Sequence, residues 1–195
     1  YIIGGLGGTY LDDIQYCPIN IGGDIGTCTQ QTAAFTTGRY AHTSVVDKGY
    51  LYIIGGFGGS NQRDVQYCPI NANGSISICT QKATAFSPAR YSHTSVAYNG
   101  YLYVIGGYGT IYQNDIQRFL LGEGRTSSYT ATTSITGIRS SHTTVAYNGY
   151  MYVIGGSDLG TYYIDVLYAP INSDGTVGTW TTTTSIIGVR GNHTS

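Results

Sequence analysis

A short run of apolar residues, Tyr101–Ile105, shows how this chain is organised. The run has no polar alternation, which is typical of a strand covered on both faces. It is too short for a useful helix, and two glycines end it. Tyrosine, two aliphatic residues and two glycines recur together four times, at steps of 51, 51 and 49 residues, beginning at Tyr1, Tyr52, Tyr103 and Tyr152.

The length of this repeat predicts the class of architecture. Units of about fifty residues at nearly constant spacing are typical of solenoids and propellers, because one unit cannot bury both of its faces alone. Each unit divides into four short strands, and no segment predicts a helix. We therefore predict an all-β protein with repeat units at about 1–51, 52–102, 103–151 and 152–195.

Glycine-containing dipeptides mark hairpins at two positions of the repeat, each in three of the four repeats. Type I′ turns need positive φ at both central residues, which favours Asn-Gly, Asp-Gly and Gly-Gly. Between the first and second strands lie Lys48-Gly49, Asn99-Gly100 and Asn148-Gly149. Between the third and fourth strands lie Gly22-Gly23, Asn73-Gly74 and Asp174-Gly175. The third repeat has Glu123-Gly124-Arg125 instead, so its loop is expected to differ.

Composition and charge narrow the function classes. With 41% hydrophobic and 10% charged residues, the chain is expected to fold. A net charge of -1 without a basic cluster argues against a nucleic-acid partner. No apolar run is long enough to predict a membrane span. Twenty tyrosines, 29 glycines and only nine lysines plus arginines are more typical of an exported protein than of a cytosolic one.

The repeated motif resembles the kelch repeat. The resemblance rests on the Tyr-[Ile/Val]-Ile-Gly-Gly pattern, a later Asp-[Ile/Val] pair, an aromatic residue at the Trp180 position, and Arg-x-x-His before the next repeat. It implies a β-propeller in which each repeat forms a four-stranded antiparallel blade around a central channel. One position departs from the pattern, because the aromatic is replaced by Tyr129 in the third repeat and by Cys28 and Cys79 in the first two.

The sequence is consistent with two arrangements of the whole propeller. The four repeats could belong to a longer propeller of about six or seven blades, which we favour. Alternatively, residues 193–195 could pair beside Tyr1–Gly5 and close a four-bladed ring. In the first arrangement, open sheet edges would favour further blades or self-association.

The four cysteines form two pairs across hairpins. Cys17 and Cys28 flank Gly22-Gly23, and Cys68 and Cys79 flank Asn73-Gly74. Directly opposed residues in antiparallel strands lie about 4.5–5.5 Å apart, within the range that a disulfide bridges. We predict the disulfides Cys17–Cys28 and Cys68–Cys79; free buried thiols and a metal site are the alternatives. Disulfides would indicate an oxidising compartment, so we predict an extracellular, cell-surface or periplasmic protein.

Charged and imidazole side chains recur once in each repeat. The histidines, His42, His93, His142 and His193, are expected to be structural, with a ring of metal ligands as the alternative. Aspartates before the third strand, Asp13, Asp64, Asp115 and Asp165, are expected to satisfy loop N–H groups. From the resemblance, arginines near a channel mouth are expected to contact acidic peptides, with a structural role as the alternative; the matching residues are Arg39, Arg90, Arg139 and Arg190.

The loops after the two glycines differ most between repeats. Function is often carried by loops on a rigid scaffold, and aromatic side chains there could stack on sugars or contact a protein. Packing between blades is the alternative. The candidate ligand-binding aromatics are Tyr10, Phe57, Tyr108, Tyr112 and Tyr162.

We predict a non-catalytic extracellular or cell-surface binding module whose ligand is a protein or a glycan. The resemblance also admits a carbohydrate-active enzyme, of the copper radical oxidase or sugar mutarotase class. A copper site needs His and Tyr ligands at singular positions, whereas every histidine here belongs to the repeat. We therefore predict no cofactor, no metal and no catalytic residue.

Overall fold

The computed structural model describes residues 1–32, 34–122 and 125–193, and every regular element in them is a β-strand. The strands form successive antiparallel sheets, each made from neighbouring strands in the sequence. The prediction of an all-β fold with four-stranded antiparallel blades is confirmed.

The strands group into four blades. Blade 1 has three strands, β1 (Ile2–Leu6), β2 (Tyr10–Tyr16) and β3 (Thr29–Gln31). Blade 2 has β4 (Thr43–Asp47), β5 (Tyr50–Ile54), β6 (Val65–Pro69) and β7 (Thr80–Lys82). Blade 3 has β8 (Thr94–Tyr98), β9 (Tyr101–Ile105), β10 (Ile116–Gly122), β11 (Arg125–Thr126) and β12 (Thr130–Thr132). Blade 4 has β13 (Thr143–Tyr147), β14 (Tyr150–Ile154), β17 (Val166–Pro170) and β18 (Thr181–Thr183).

Two further strands, β15 (Ser157–Asp158) and β16 (Thr161–Tyr162), form a small hairpin in the loop after β14. The predicted irregularity of the third repeat coincides with β11, which pairs with the end of a lengthened β10. Glu123 and Gly124 of that loop lie outside the described residues. Thr194 and Ser195, which the alternative of a closed four-bladed ring requires, also lie outside them.

Side chains of the second strand of blades 2 and 3 pack on both sides, as the unbroken apolar pattern predicts. In β5, Tyr52 and Ile54 belong to the core shared by blades 2 and 3, whereas Leu51 and Ile53 belong to the core shared with blade 1. All four side chains are buried. Since successive residues of a strand point to opposite faces, five apolar residues supply two cores.

The first strands of adjacent blades are joined by hydroxyl groups. Ser95 of β8 donates to Thr43 of β4 at 2.7 Å, and the hydroxyls of Thr94 in β8 and Thr144 in β13 lie 2.6 Å apart. Small hydroxyl side chains at these positions let the strands approach closely while satisfying their polar groups. The blades are therefore held in register along their first strands.

In blades 2 to 4, the paired glycines follow the second strand at a point where the chain passes very close to a histidine. Gly107 has a φ of +97°, and a Cβ added to it would lie 2.6 Å from the Cβ of His93. Gly106 has a φ of +56° and faces His142 of the next blade. Glycine is required here both for its backbone conformation and for the space that its missing side chain leaves.

The two hairpin positions use different turns. Asn99 and Gly100 both have positive φ, at 48° and 79°, as a type I′ turn requires. In the hairpin after β6, only Gly74 has positive φ, and the Asn71 carbonyl accepts from the Gly74 N–H at 2.9 Å. The prediction of type I′ turns between the third and fourth strands is therefore wrong; a longer loop with one left-handed glycine connects them.

Both cysteine pairs lie at disulfide-bonding distance. The sulfurs of Cys17 and Cys28 are 2.01 Å apart and those of Cys68 and Cys79 are 1.98 Å apart, with Cα atoms 4.1 Å apart in each pair. Ala169 occupies the position of Cys68 in blade 4 and is equally buried. The bridges thus tie the end of β2 to the segment before β3 in blade 1, and β6 to the segment before β7 in blade 2.

Reduction is expected to open the two bridges in sequence. Cys28 is exposed, whereas Cys68 has no exposed surface, so a mild reductant should open Cys17–Cys28 first. Removing the second bridge with Cys68→Ala and Cys79→Ala should lower the free energy of unfolding by about 2–3 kcal/mol, because the bridge closes a loop of roughly a dozen residues. Alkylation with peptide mass mapping after graded reduction measures the order. Simultaneous opening of both bridges would contradict it.

None of the described residues forms a helix that could cross a membrane.

Candidate ligand-binding site

Three of the four repeat arginines are buried in ion pairs between repeats. Arg39 is fully buried and contacts Asp64 through both nitrogens of its fork, at 2.6 and 2.9 Å. It also donates to the carbonyl of Gly55, the first of the paired glycines, at 2.8 Å. The same arrangement is repeated by Arg90 with Asp115 and by Arg139 with Asp165.

The charge of arginine determines the state of its partner. Burial by itself raises the pKa of the Asp64 carboxyl, but hydrogen bonds and the charge of Arg39, with further donors on Gln81 and Gln66, hold that pKa below its usual range. Asp64 therefore remains ionised at neutral pH and balances the guanidinium. A bidentate contact of this kind leaves both partners with their polar groups satisfied.

These pairs favour a structural role over contact with a ligand for Arg39, Arg90 and Arg139. A guanidinium that is at most 1% exposed, and that is engaged by a carboxylate and a carbonyl, has no route to an external peptide. Arg190 is different, because it is exposed and donates to the Ile187 carbonyl at 3.4 Å. A ligand contact at Arg190 remains a prediction.

Two of the histidines also join neighbouring blades. The Nε2 of His93 lies 2.9 Å from the hydroxyl of Thr43, and the Nε2 of His142 lies 2.8 Å from that of Thr94. Burial and the positive charge of Arg139 lower the pKa of His142 to about 3. This imidazole is neutral at physiological pH. The contacts fit the predicted structural role.

A row of aromatic rings crosses one end of the first three blades. Phe57 lies 5.8 Å from Tyr40 and 5.7 Å from Tyr91, measured between ring centroids. Tyr91 lies 5.5 Å from Tyr108 in the next blade. Edge-to-face contacts at these separations are favourable and fix the orientation of each ring. We call these residues the aromatic row: Tyr10, Tyr40, Phe57, Tyr91, Tyr108 and Tyr112.

Backbone pairing explains why the row forms. Tyr40 follows the buried Arg39 and exchanges two backbone hydrogen bonds with Phe57, at 3.0 and 2.9 Å. Tyr91 and Tyr108 are paired in the same way. In blade 4 the equivalent pair is Ser140 and Ser157, again with two bonds, each of 2.9 Å. The row therefore stops where two serines replace two aromatic rings.

A groove of about 790 Å³ opens at this point, between the end of the aromatic row and blade 4. Its volume lies in the range of small-molecule binding sites. Ile111 and Leu159 contribute apolar surface and are 66% and 81% exposed. The lining residues are Tyr91, Ser92, Tyr108, Thr110, Ile111, Tyr112, Ile138, Ser140, Ser141, Ser157 and Leu159.

The polar groups of this lining are hydroxyls. Eight lining residues carry one, and none of these eight hydroxyls is hydrogen-bonded to another protein group in the described part of the chain. No lining residue is charged. Burial, reinforced by the neighbouring tyrosines, raises the pKa of Tyr91, so its phenol stays neutral. The groove thus offers uncharged groups that can each donate and accept a hydrogen bond.

Comparison with known proteins defines the family. The family model of the KLHDC2/KLHL20/DRC7 Kelch-repeats domain matches residues 1–189, nearly the whole chain. This chain belongs to the kelch-repeat family. Among curated proteins, none matches it. Kelch domains generally mediate protein interactions, so family membership implies a protein-binding scaffold.

The five aromatic residues predicted to bind a ligand do not all line the groove. Tyr108 and Tyr112 line the groove, whereas Tyr10 and Phe57 stand in the aromatic row at a distance from it. Tyr162 lies on β16, 57% exposed, and is not among the lining residues. Two of the five predicted residues therefore line the groove, two more stand in the aromatic row, and Tyr162 lies beside the groove residue Ser157, with which it pairs.

Sequence reasoning missed Tyr40, Tyr91 and the two serines. A signal was present in the kelch repeat, because the residue after the repeat arginine and the residue after the paired glycines change together. Both are aromatic in the pairs Tyr40 with Phe57 and Tyr91 with Tyr108, and both are serine in Ser140 with Ser157. Positions that vary together between repeats indicate contact.

The described residues contain no group of three or more His, Cys, Asp or Glu side chains that could hold a metal ion.

Proposed function

We propose that this kelch chain is a non-catalytic binding module of an exported protein, and that its ligand occupies the groove between blades 3 and 4. The observation that carries the proposal is the break in the aromatic row at Ser140 and Ser157. A repeat protein that only needed packing could use the same aromatic pair in every blade. The break instead leaves a concave site beside exposed rings.

The groove has the properties of a binding site on a rigid support. It lies on loops whose bases are tied by buried ion pairs, since Arg90 immediately precedes Tyr91 and Arg139 immediately precedes Ser140. Preorganised loops reduce the entropy that is lost on binding. The lining lacks the carboxylates, imidazoles, thiols and cations that general acid–base or nucleophilic catalysis uses. Binding without chemistry is therefore the function it supports best.

Export is the second part of the proposal. Two cysteine pairs at disulfide distance are compatible with an oxidising compartment, where such bridges persist. The small number of charged side chains and the abundance of tyrosine point the same way.

Filling the groove tests this function. The double variant Ser140→Tyr/Ser157→Phe copies the Tyr40 and Phe57 pair of blade 2, so the fold already accommodates these side chains at the equivalent place. Wild type and variant are compared on an array of oligosaccharides and on a displayed library of uncharged peptides. Ligands captured by the wild type should bind the filled variant at least about tenfold more weakly.

The control is Tyr147→Ala, which removes an aromatic side chain that is 72% exposed at the opposite end of blade 4. It should leave binding unchanged. Equal capture by the filled variant, or no capture by the wild type from either set, contradicts the proposed site. Ligands recovered with an altered mass would contradict a non-catalytic role.

A further inference from the structure

The hydrogen-bonding groups of the groove restrict the chemistry of its ligand. Its side-chain polar atoms are the hydroxyls of eight tyrosine, serine and threonine residues. None of these hydroxyls is hydrogen-bonded to a protein group among the described residues. A hydroxyl both donates and accepts, so a cluster of them matches a ligand whose own groups do the same. Charged ligands gain nothing here, because the lining provides no opposite charge and burial would remove water from the ion.

Backbone pairing disfavours an extended peptide in the same place. A peptide that adds to a sheet needs free N–H and C=O groups along an edge. The backbone N–H groups of Tyr91 and Tyr108 bond each other's carbonyls, as do those of Ser140 and Ser157. The Ser141 N–H bonds the Ser92 carbonyl at 2.9 Å. The groove therefore presents side-chain hydroxyls and rings, but no strand edge.

The tyrosine rings supply the apolar surface that a ligand in the groove would contact. Tyr108 and Tyr112 meet edge to face, with ring centroids 4.8 Å apart, and both remain partly exposed. Aromatic faces pack against the C–H surfaces of flat, uncharged molecules, while phenol and serine hydroxyls reach the groups at their edges. Sugar rings combine C–H faces with equatorial hydroxyls in this way.

We infer that the groove binds a neutral oligosaccharide, stacked on Tyr108 and Tyr112 and hydrogen-bonded by the surrounding hydroxyls. The inference rests on the proposed function and narrows its ligand from protein or glycan to glycan. A volume of about 790 Å³ accommodates a short oligosaccharide rather than a single small group.

The test uses neutral tetrasaccharides of glucose, galactose, mannose and N-acetylglucosamine, each beside an acidic counterpart that contains uronic acid, and uncharged octapeptides as the competing class. Binding to the wild-type chain is measured by titration calorimetry. At least one neutral tetrasaccharide should bind, and its affinity should change by less than about twofold between roughly 0.05 and 0.5 M NaCl, because no charge pair is formed.

Variants of one tyrosine separate stacking from folding. Tyr108→Ala should weaken binding of that tetrasaccharide at least about tenfold, whereas Tyr108→Phe, which keeps the ring, should weaken it less. Ser157→Ala removes one hydroxyl and should cost a smaller factor. Circular dichroism of each variant reports whether the fold is retained, and Tyr147→Ala serves as the control.

The outcomes distinguish this inference from the proposed function. Suppose that uncharged octapeptides bind the wild type but not the filled variant Ser140→Tyr/Ser157→Phe, and that no tetrasaccharide binds. The proposed binding site is then supported, and the inference that its ligand is a glycan is wrong. Preference for an acidic counterpart, with strong salt dependence, also overturns the inference. If the filled variant retains every interaction of the wild type, both proposals fail.

Discussion

Replacing Asp64 by alanine is expected to lower the free energy of unfolding by about 3–5 kcal/mol. The variant leaves the Arg39 guanidinium fully buried without its carboxylate, which lies 2.6 Å away in the native protein. Breaking a buried pair on one side costs more than the pair contributes, because the remaining charge is neither hydrated nor balanced. Hydrogen bonds that Asp64 accepts from Gln66 and Gln81 are lost as well. Denaturant unfolding followed by fluorescence measures the change.

Asp13 provides a matched control within the same chain. It occupies the equivalent position of blade 1 and is also buried, but its hydrogen bonds come from Gln30 and Gln15 rather than from an arginine. Asp13→Ala should therefore cost about 1–2 kcal/mol. Removing both charges with Arg39→Met/Asp64→Leu should recover much of the loss of Asp64→Ala. Equal losses for Asp13→Ala and Asp64→Ala would contradict the assigned role of the ion pair.

Acidification from neutral pH towards pH 4 is expected to destabilise the protein progressively, beginning near pH 6.5, where ordinary carboxylates are still ionised. Burial and the charge of Arg39 lower the pKa of His42 to about 4, and that of His142 is lowered to about 3. Burial, with Arg90 and the flanking imidazoles, also lowers the pKa of His93 well below its ordinary 6.5. Unfolded histidines bind protons below about pH 6.5 while the folded ones do not, so stability falls as pH falls.

The size of the loss of stability at low pH depends on how many more protons the unfolded chain binds than the folded one. Each buried histidine removes up to about 1.4 kcal/mol of stability per pH unit between its unfolded and folded pKa values. For His42 that window runs from about 6.5 to about 4. The Asp64 pair adds to the pH dependence only below the ordinary value of 3.8, because its stabilisation is fully present above that pKa and is lost as the pH falls further.

Urea midpoints measured from pH 7.5 to pH 4.5 test this prediction. His142→Gln removes one titrating group while keeping an amide that can reach Thr94, so the slope of stability against pH should decrease by up to one proton. A pH-independent midpoint across this range would show that the histidines are not held neutral by burial.

The same contacts link stability to the binding face. Arg39, Arg90 and Arg139 each precede the residue that pairs with the loop after the paired glycines, namely Tyr40, Tyr91 and Ser140. Their carboxylate partners lie in the following repeat. The ion pairs therefore hold the bases of the loops on which the groove is built, so a variant such as Asp165→Ala should affect both folding and binding.

Local patterns were sufficient to predict the blades. The run Tyr101–Ile105 is a strand that ends before its two glycines, and Asn99-Gly100 forms the expected hairpin. These features depend on residues next to one another in the chain; the apolar run with its glycines recurs four times and the hairpin three times. The hairpin at Asn73-Gly74 was predicted in the right place with the wrong turn, because the dipeptide alone does not distinguish a two-residue loop from a longer loop with one left-handed glycine.

The role of the arginines could not be predicted from the same patterns. Arg39 and Asp64 are 25 residues apart and belong to different repeats, so their pairing depends on how one blade sits against the next. A repeated arginine is equally consistent with a ligand site at a channel mouth and with a buried pair. Only the packing of adjacent blades, which leaves Arg39 without exposed surface, distinguishes the two.

The sequence by itself determined the repeat and the order of strands within each blade, and it predicted which cysteines face each other across hairpins. Each of these follows from periodicity and short-range turn chemistry. The tertiary structure alone decided which side chains are buried between blades and where a ligand can enter. Ser140 and Ser157 are unremarkable in the chain. They define a groove only because the fold sets them beside the last rings of an aromatic row, and that juxtaposition arises from contacts between blades rather than between neighbours in sequence.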